Sequence, residues 1–145
     1  MKLAPWFPIA TPIFMLVGAL VVWLVGKIFG SKQTYNAALV VAGWSYMPRV
    51  LGALIGGIQG LLMDPDNLKG QLSISLSPAR FMDPDTSNQL LYQLMGRFDL
   101  ITIWITVLLA IGLYVTGKVS KGSAATFGFL IWLVGSLPAL RSALM

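Results

Sequence analysis

Four long apolar runs, separated by short or long polar segments, constrain the fold of this chain more than any other feature. A helix needs about 20 mainly apolar residues to cross the hydrocarbon core of a bilayer, and the runs approach or exceed that length. We therefore predict an all-α, polytopic transmembrane helical bundle that forms a single domain over residues 1–145. The predicted spans are residues 9–29, 37–63, 100–116 and 123–140, and a long polar loop, 64–97, lies outside the membrane.

The composition favours a bundle solvated by lipid and excludes several kinds of active site. Only 10% of the residues are charged, whereas a soluble domain carries about 25%. The chain has no histidine, no cysteine and no glutamate, and its five aspartates lie outside the predicted spans. Disulfides, thiolate nucleophiles, Cys/His zinc sites and histidine bases are therefore excluded. We predict that the protein is not an enzyme and uses no cofactor or metal.

The basic residues predict how the spans are oriented. Lys27 and Lys32 flank the first short loop, and Lys118 and Lys121 the third, with no acidic residue in either. Since basic residues in short loops mark the cytoplasmic side, we place loops 1 and 3 inside, and both termini and loop 64–97 outside. An outside N-terminus suggests either that an earlier span is missing from this chain or that its insertion into the membrane is unusual. This cytoplasmic basic rim either sets topology only or also recruits anionic lipid or an acidic partner. We expect no nucleic acid partner, because the basic residues are scattered.

A strip of glycines marks one face of the second predicted span. Gly52, Gly56 and Gly60 recur every fourth residue, and this spacing lets another helix approach closely and gain van der Waals contact. We predict that the strip packs against a helix of the same chain, with a partner chain as the alternative. Gly56, at the centre, is expected to lie at a close helix–helix contact.

Arg49 is the first of four candidates for contact with a lipid, a ligand or a partner. It lies near the middle of the second predicted span, where a charge costs about 3 kcal/mol on insertion scales. Arg49 either binds an anionic group there or extends from a shallow position to lipid phosphates. We expect its guanidinium to contact a phosphate, a backbone carbonyl or water. A carboxylate of this chain is not expected, because all five aspartates are predicted to lie beyond its reach.

The other candidates are Tyr46, Pro48 and Asp99. Pro48 removes a backbone hydrogen bond within the second span, which predicts either a hinge at a binding site or a static kink. Asp99 precedes the third span and is expected to cap that helix, with an ion pair or a partner contact as the alternative. Within the outer loop, apolar residues alternate with serines over 72–76, which predicts a short extended segment.

Two stretches of the sequence go beyond the general pattern of a membrane protein. The first comprises residues 30–36 (GSKQTYN) and 45–48 (SYMP), and the second comprises residues 98–104 (FDLITIW), 109–113 (LAIGL) and 117–122 (GKVSKG). In the second, an aspartate precedes a tryptophan-containing span that ends in a glycine and a lysine-rich turn. Over about residues 9–140, the chain resembles the bacterial branch of the Yip family, the Ypt/Rab-interacting membrane proteins.

The resemblance implies a five-span protein of which this chain would be the last four spans, in agreement with the charge-derived orientation. It implies a non-enzymatic scaffold or adaptor in the bacterial inner membrane. The expected partners are the lipid bilayer, including anionic lipids, and a membrane protein or a second copy of the chain. The alternative is a small transporter or channel component with Arg49 and Pro48 at a polar site. A water-filled cavity beside Arg49 would favour that alternative, and a closed, dry bundle would favour the scaffold.

Overall fold

The computed structural model describes the backbone of residues 7–144, and their side chains apart from positions 7–11, 14, 71, 139 and 142–144. No strand occurs in residues 7–144, so the all-α class is confirmed for that part of the chain. Three short 3-10 helices lie between α3 and α4, at Pro65–Asn67, Gln71–Ile74 and Pro78–Phe81. The α-helices are α1 (Phe7–Ile28), α2 (Tyr35–Ser45), α3 (Pro48–Leu62), α4 (Gln89–Arg97), α5 (Leu100–Gly117) and α6 (Lys121–Leu144).

Each predicted span coincides with helical structure, and the second is shared between α2 and α3. Two segments of the described chain, Tyr35–Leu62 and Leu100–Gly117, are long and apolar enough to cross a membrane. Met15–Ile28 of α1 is a shorter apolar stretch. The four-span bundle and the single domain over residues 1–145 therefore stay predictions.

The second predicted span is interrupted at Tyr46 and Met47, between the end of α2 and the start of α3. Tyr46 closes α2 by donating its backbone N–H to the Ala42 carbonyl at 3.1 Å. Pro48 lies in the first turn of α3, where the helix needs no N–H donor and the fixed φ of proline suits the helix. Tyr46 and Met47 keep backbone angles of the α region, so the interruption is local to the proline, and both a static kink and a hinge stay predictions.

By its internal contacts the chain divides into two compact units, and unit 1 comprises residues 1–46 and 107–131. It contains α1, α2, the second part of α5 and the first part of α6. Leu109, Leu113 and Phe127 are among its fully buried side chains. Small residues allow close helix packing here, because a methyl group added at Gly112 of α5 would overlap the side chain of Val41 of α2.

Unit 2 comprises residues 47–106 and 132–145, and polar side chains join its segments. At the end of α4, Arg97 donates from Nε to Ser136 Oγ at 3.1 Å and from Nη2 to the Trp132 carbonyl at 3.3 Å. Trp132 donates from Nε1 to the Arg97 carbonyl at 3.1 Å. A Cβ atom at Gly135 would lie 2.8 Å from Arg97 Nη2, so a larger residue there would displace the end of the guanidinium from its place against α6.

The outer loop is more ordered than its polar sequence predicts. The extended segment expected over residues 72–76 is wrong, since Gln71–Ile74 forms a 3-10 helix. Serine side chains hold this turn: Ser73 Oγ accepts the Gly70 N–H at 3.1 Å, and Ser75 Oγ donates to the Leu72 carbonyl at 2.6 Å. Such local bonds offer the backbone an alternative to an extended conformation.

Candidate functional site

The strongest candidate site is a cavity of about 250 Å³ that lies wholly within unit 2. It brings one cationic and one anionic side chain together with two hydroxyl groups on an otherwise apolar lining. The residues come from the first two turns of α3, from the end of the second 3-10 helix and the segment after it, and from the start of α5. The lining consists of Arg49, Gly52, Ile74, Ser75, Leu76, Asp99, Ile101 and Thr102.

Asp99 caps α5, as its position before an apolar run predicts. Its Oδ1 accepts the backbone N–H groups of Ile101 at 3.0 Å and Thr102 at 3.2 Å, which the helix itself leaves without acceptors. Its Oδ2 accepts the N–H of Leu76 at 2.9 Å, and the Leu76 carbonyl accepts the N–H of Leu100 at 3.2 Å. The capping role is confirmed, and the same carboxylate fixes Leu76 in the cavity wall.

Arg49 is the second residue of α3 and is exposed. It lines the same cavity as Asp99, so the predicted separation of Arg49 from every aspartate is wrong for Asp99. The prediction counted from Arg49 to Met63, and α3 is continuous over almost all of that distance. It failed because it placed every aspartate at or beyond the far end of that helix, whereas the start of α5 lies beside the first turns of α3. Since Asp99 caps the first turn of α5, Arg49 lies near that end of α5 and not beside its middle.

The three glycines of the predicted strip have different surroundings. A Cβ at Gly52 would lie 3.0 Å from Ile101 Cγ1 of α5, whereas one at Gly56 would lie 3.6 Å from Ile74 Cδ1 of a 3-10 helix. At Gly60 no described atom lies within 4 Å of that position. Of the three glycines, only Gly52 is therefore closely approached by another α-helix of the described chain. The contact expected at Gly56 is an ordinary one with a 3-10 turn, and a packing role for Gly60 stays a prediction.

Pro48 and Tyr46 lie apart from the cavity lining. The described lining includes neither residue. Pro48 is buried in the first turn of α3. Tyr46 belongs to unit 1, where its hydroxyl lies 3.8 Å from the position of a Cβ at Gly18. Their roles as a hinge or a contact site stay predictions.

The predicted basic rim lies in unit 1, and its four lysines are exposed: Lys27, Lys32, Lys118 and Lys121. Lys27 Nζ donates to the Ser31 carbonyl at 3.2 Å and lies 5.5 Å from the centre of the Trp23 ring. The backbone N–H of Lys32 donates to the Gly117 carbonyl at 3.1 Å. This bond joins the first and third short loops, so their lysines form one cluster. Its binding of anionic lipid or a partner stays a prediction.

Sequence reasoning missed two buried polar residues that flank Lys32 in the first short loop. Ser31 is 5% exposed and Gln33 is 2% exposed, and the Gln33 N–H donates to Ser31 Oγ at 3.1 Å. A Cβ at Gly117 would lie 2.5 Å from Ser31 Oγ. Within the described chain, neither polar atom of the Gln33 side chain has a hydrogen-bond partner. Both residues belong to the stretch 30–36 that carries the family resemblance, and this is the sequence feature that could have drawn attention to them.

Comparison with known proteins agrees with the resemblance seen in the sequence. The model of the Yip1 domain family matches residues 1–140. Membrane protein YknW of Bacillus subtilis (strain 168) is 29% identical over 123 residues, covering 81% of this chain. The chain spans about half of that relative, with 50% of its length covered. No solved structure matches the chain.

Proposed function

This chain belongs to the Yip1 domain family of membrane proteins, and from that premise we propose that it is a non-enzymatic scaffold or adaptor. The outer face of α3 is the observation that supports this role. At Gly57 and Gly60, no described atom lies within 4 Å of an added Cβ. Small residues among apolar side chains favour close association of transmembrane helices. The exposed apolar side chains on α3 are Val50, Leu51, Leu54, Ile55, Ile58, Leu61 and Leu62.

The proposed partner is a transmembrane helix of another membrane protein or of a second copy of the chain. Gly60→Leu tests this, because the substitution adds bulk where the chain makes no described contact of its own. Gly122→Leu is the matched control, since the space around Gly122 is equally open. We expect capture in mild detergent, followed by mass spectrometry, to lose the partner or the second copy with Gly60→Leu only. Equal recovery of the same proteins with both variants would contradict the proposed interface.

We further propose four spans in the bacterial inner membrane, with loops 1 and 3 in the cytoplasm. The lysine cluster supports this orientation. The chain has no native cysteine, so single substitutions report the side directly. Asn36→Cys, Ser120→Cys and Asn67→Cys are suitable because all three positions are exposed and none of the substitutions removes a lysine. An impermeant thiol reagent should label intact cells at position 67 only. Labelling at 36 or 120 but not at 67 would reverse the orientation.

The cavity beside Arg49 is a polar site of the kind that the alternative function, a transporter or channel component, would use. Its described lining lies in one unit and excludes Pro48, so the predicted combination of Arg49 and Pro48 at one site is not supported. We keep the scaffold as the proposed function, because the exposed apolar side chains of α3 support it. Solute flux into proteoliposomes that Arg49→Gln abolishes would support transport instead.

A further inference from the structure

The cavity of unit 2 contains side chains of both charges, and this pairing limits what it can bind. Arg49 and Asp99 share its lining with the hydroxyl-bearing Ser75 and Thr102. A ligand with only an anionic group would be repelled by the carboxylate, and one with only a cationic group would be repelled by the guanidinium. A small group carrying both charges would complement both side chains.

Asp99 retains the capacity to accept a further donor. Its Oδ1 accepts two backbone N–H groups and its Oδ2 accepts one, whereas a carboxylate has about four acceptor positions. These bonds hold the carboxylate in a fixed orientation. An ammonium group, which offers N–H donors and a positive charge, fits the remaining position on Oδ2.

Arg49 supplies the complementary half of the site. A guanidinium presents five N–H donors in a planar fork, and this geometry matches a phosphate bidentately. Gly52 lies three residues later, on the same side of α3. Ile101 would be only 3.0 Å from a Cβ there, so the glycine keeps this part of the cavity open.

The surroundings of the cavity resemble the environment of a phospholipid headgroup. The site lies at the first turn of α5, which is long and apolar enough to cross a bilayer, and headgroups lie where such helices end. Exposed apolar residues neighbour the lining residues in the chain, including Val50 next to Arg49 and Leu100 next to Asp99. At about 250 Å³, the cavity is smaller than the roughly 300–1,000 Å³ of sites for drug-sized ligands. It suits the headgroup of a phospholipid whose acyl chains remain outside the cavity.

We propose that this cavity binds a phosphate ester that carries a primary ammonium group, with the phosphate on Arg49 and the ammonium on Asp99. The headgroup of an aminophospholipid has this chemistry, and free phosphoethanolamine shares it. The inference goes beyond the scaffold role and does not depend on it, because the α3 face tested by Gly60→Leu lies outside the cavity lining.

Native mass spectrometry of the purified full chain tests the proposal with three lipids of identical acyl chains. Phosphatidylethanolamine carries both groups, phosphatidylcholine has no N–H donor on its nitrogen, and phosphatidylglycerol has no ammonium. We expect phosphatidylethanolamine to bind about tenfold more tightly than either of the others, as expected for the loss of one charge-assisted hydrogen bond. Equal binding of all three lipids would overturn the proposal.

Variants assign the binding to the cavity. Arg49→Gln should lower the affinity for phosphatidylethanolamine about tenfold. Arg80→Gln is the matched control, because Arg80 lies in the same unit, near the Phe81 ring, and outside the cavity lining. Asp99→Asn should remove the preference for phosphatidylethanolamine over phosphatidylglycerol. If Asp99→Asn fails to fold, the comparison of the three lipids on the unmodified chain still tests the ammonium contact. Unchanged affinity with Arg49→Gln would overturn the proposal.

A titration with free phosphoethanolamine distinguishes the two sources of the ligand. For a lipid site, we expect retention of phosphatidylethanolamine and little thermal stabilisation by the free compound. Saturable stabilisation by free phosphoethanolamine that Arg49→Gln abolishes, without lipid retention, would support the same chemistry with a soluble ligand. Failure of both ligands to bind would overturn the inference and leave the partner test at Gly60 unaffected.

Discussion

Different kinds of interaction stabilise the interior of unit 1 and the interior of unit 2. In unit 1, α2 and α5 approach closely through small residues, and a methyl group at Gly112 would overlap Val41. In unit 2, Asp99 binds the backbone of Leu76, and Arg97 binds both the carbonyl of Trp132 and Ser136. One unit depends mainly on van der Waals packing between helices, and the other depends on side chains that satisfy backbone groups of distant segments.

The difference follows from the backbone that each unit contains. A long helix satisfies its own N–H and C=O groups internally, so the helices of unit 1 associate mainly through complementary surfaces. Polar bonds, such as that from the Tyr35 hydroxyl to the Leu16 carbonyl, add to this packing. Unit 2 includes three 3-10 helices and the short α4 between residues 65 and 97. Irregular backbone leaves polar groups that require partners when they are buried. Polar side chains at helix ends, such as Asp99 and Arg97, supply those partners, and Asp99 also lines the cavity.

The largest expected effect is at Gly112, where close packing in unit 1 is tested. Gly112→Leu should lower the free energy of unfolding by at least about 3 kcal/mol, the upper end of the usual cost of overpacking, because the new side chain must occupy the space of Val41. Thermal unfolding in detergent, followed by circular dichroism, measures the change. Gly122→Leu adds the same bulk in open space and should not destabilise. Equal melting temperatures of the two variants would show that unit 1 tolerates separation of α2 from α5.

The next largest effect is expected at Arg97, where the polar connection within unit 2 is tested. Arg97→Gln should cost about 2 kcal/mol, because it removes charged donors from Ser136 and the Trp132 carbonyl. Limited trypsin digestion should cleave faster at Lys69 and Arg80 in the outer loop. Arg80→Gln is the control for loss of a positive charge in the same unit. Because this variant lacks the trypsin site at position 80, its cleavage is measured at Lys69. A variant with unchanged cleavage and melting would show that Arg97 does not hold α4 to α6.

Gln33 is an exception to the apolar description of unit 1 and sharpens the comparison. A buried amide without a partner costs about 1–3 kcal/mol, and the polar atoms of this side chain have none in the described chain. Gln33→Leu should therefore stabilise the protein by about 1 kcal/mol, as measured by thermal unfolding. Asn36→Leu, at an exposed position nearby, should change stability little. Destabilisation by Gln33→Leu would show that the amide is paired in the membrane.

The smallest expected effect concerns Asp83 in the outer loop of unit 2. The Asp85 N–H and then Lys69, which lies 3.0 Å away, hold the pKa of Asp83 below its usual value of 3.8. A depressed folded-state pKa stabilises the fold above the unfolded value, and this contribution is lost as pH falls through the folded pKa. Protection of the loop from an acid-active protease should therefore decline below about pH 4. Asp83→Asn should flatten that decline, and Asp66→Asn should not. If protection of the loop depended on pH identically in both variants, the stabilising role of the Asp83 carboxylate would be contradicted.

Much of the secondary structure could be predicted from the sequence, because local chemistry determines it. Apolar runs of sufficient length predicted α1, α5 and α6 within a few residues. Pro48 marked the interruption of the second span, and Asp99 before an apolar run marked a helix cap. Membership of the Yip1 domain family was also evident from short motifs, and the family match over residues 1–140 confirms it. Each of these inferences depends on residues close together in the chain.

Only the tertiary structure decided which of these residues meet. The meeting of Arg49 and Asp99 at one cavity was missed, because these residues are 50 positions apart and only the packing of α5 against α3 brings them together. The same holds for Gly56, whose neighbour Ile74 comes from a 3-10 turn that was expected to be extended. Ser31 and Gln33 looked like loop residues, yet they are buried. Burial and proximity arise from the packing of segments distant in sequence, and local propensity carries no information about that packing.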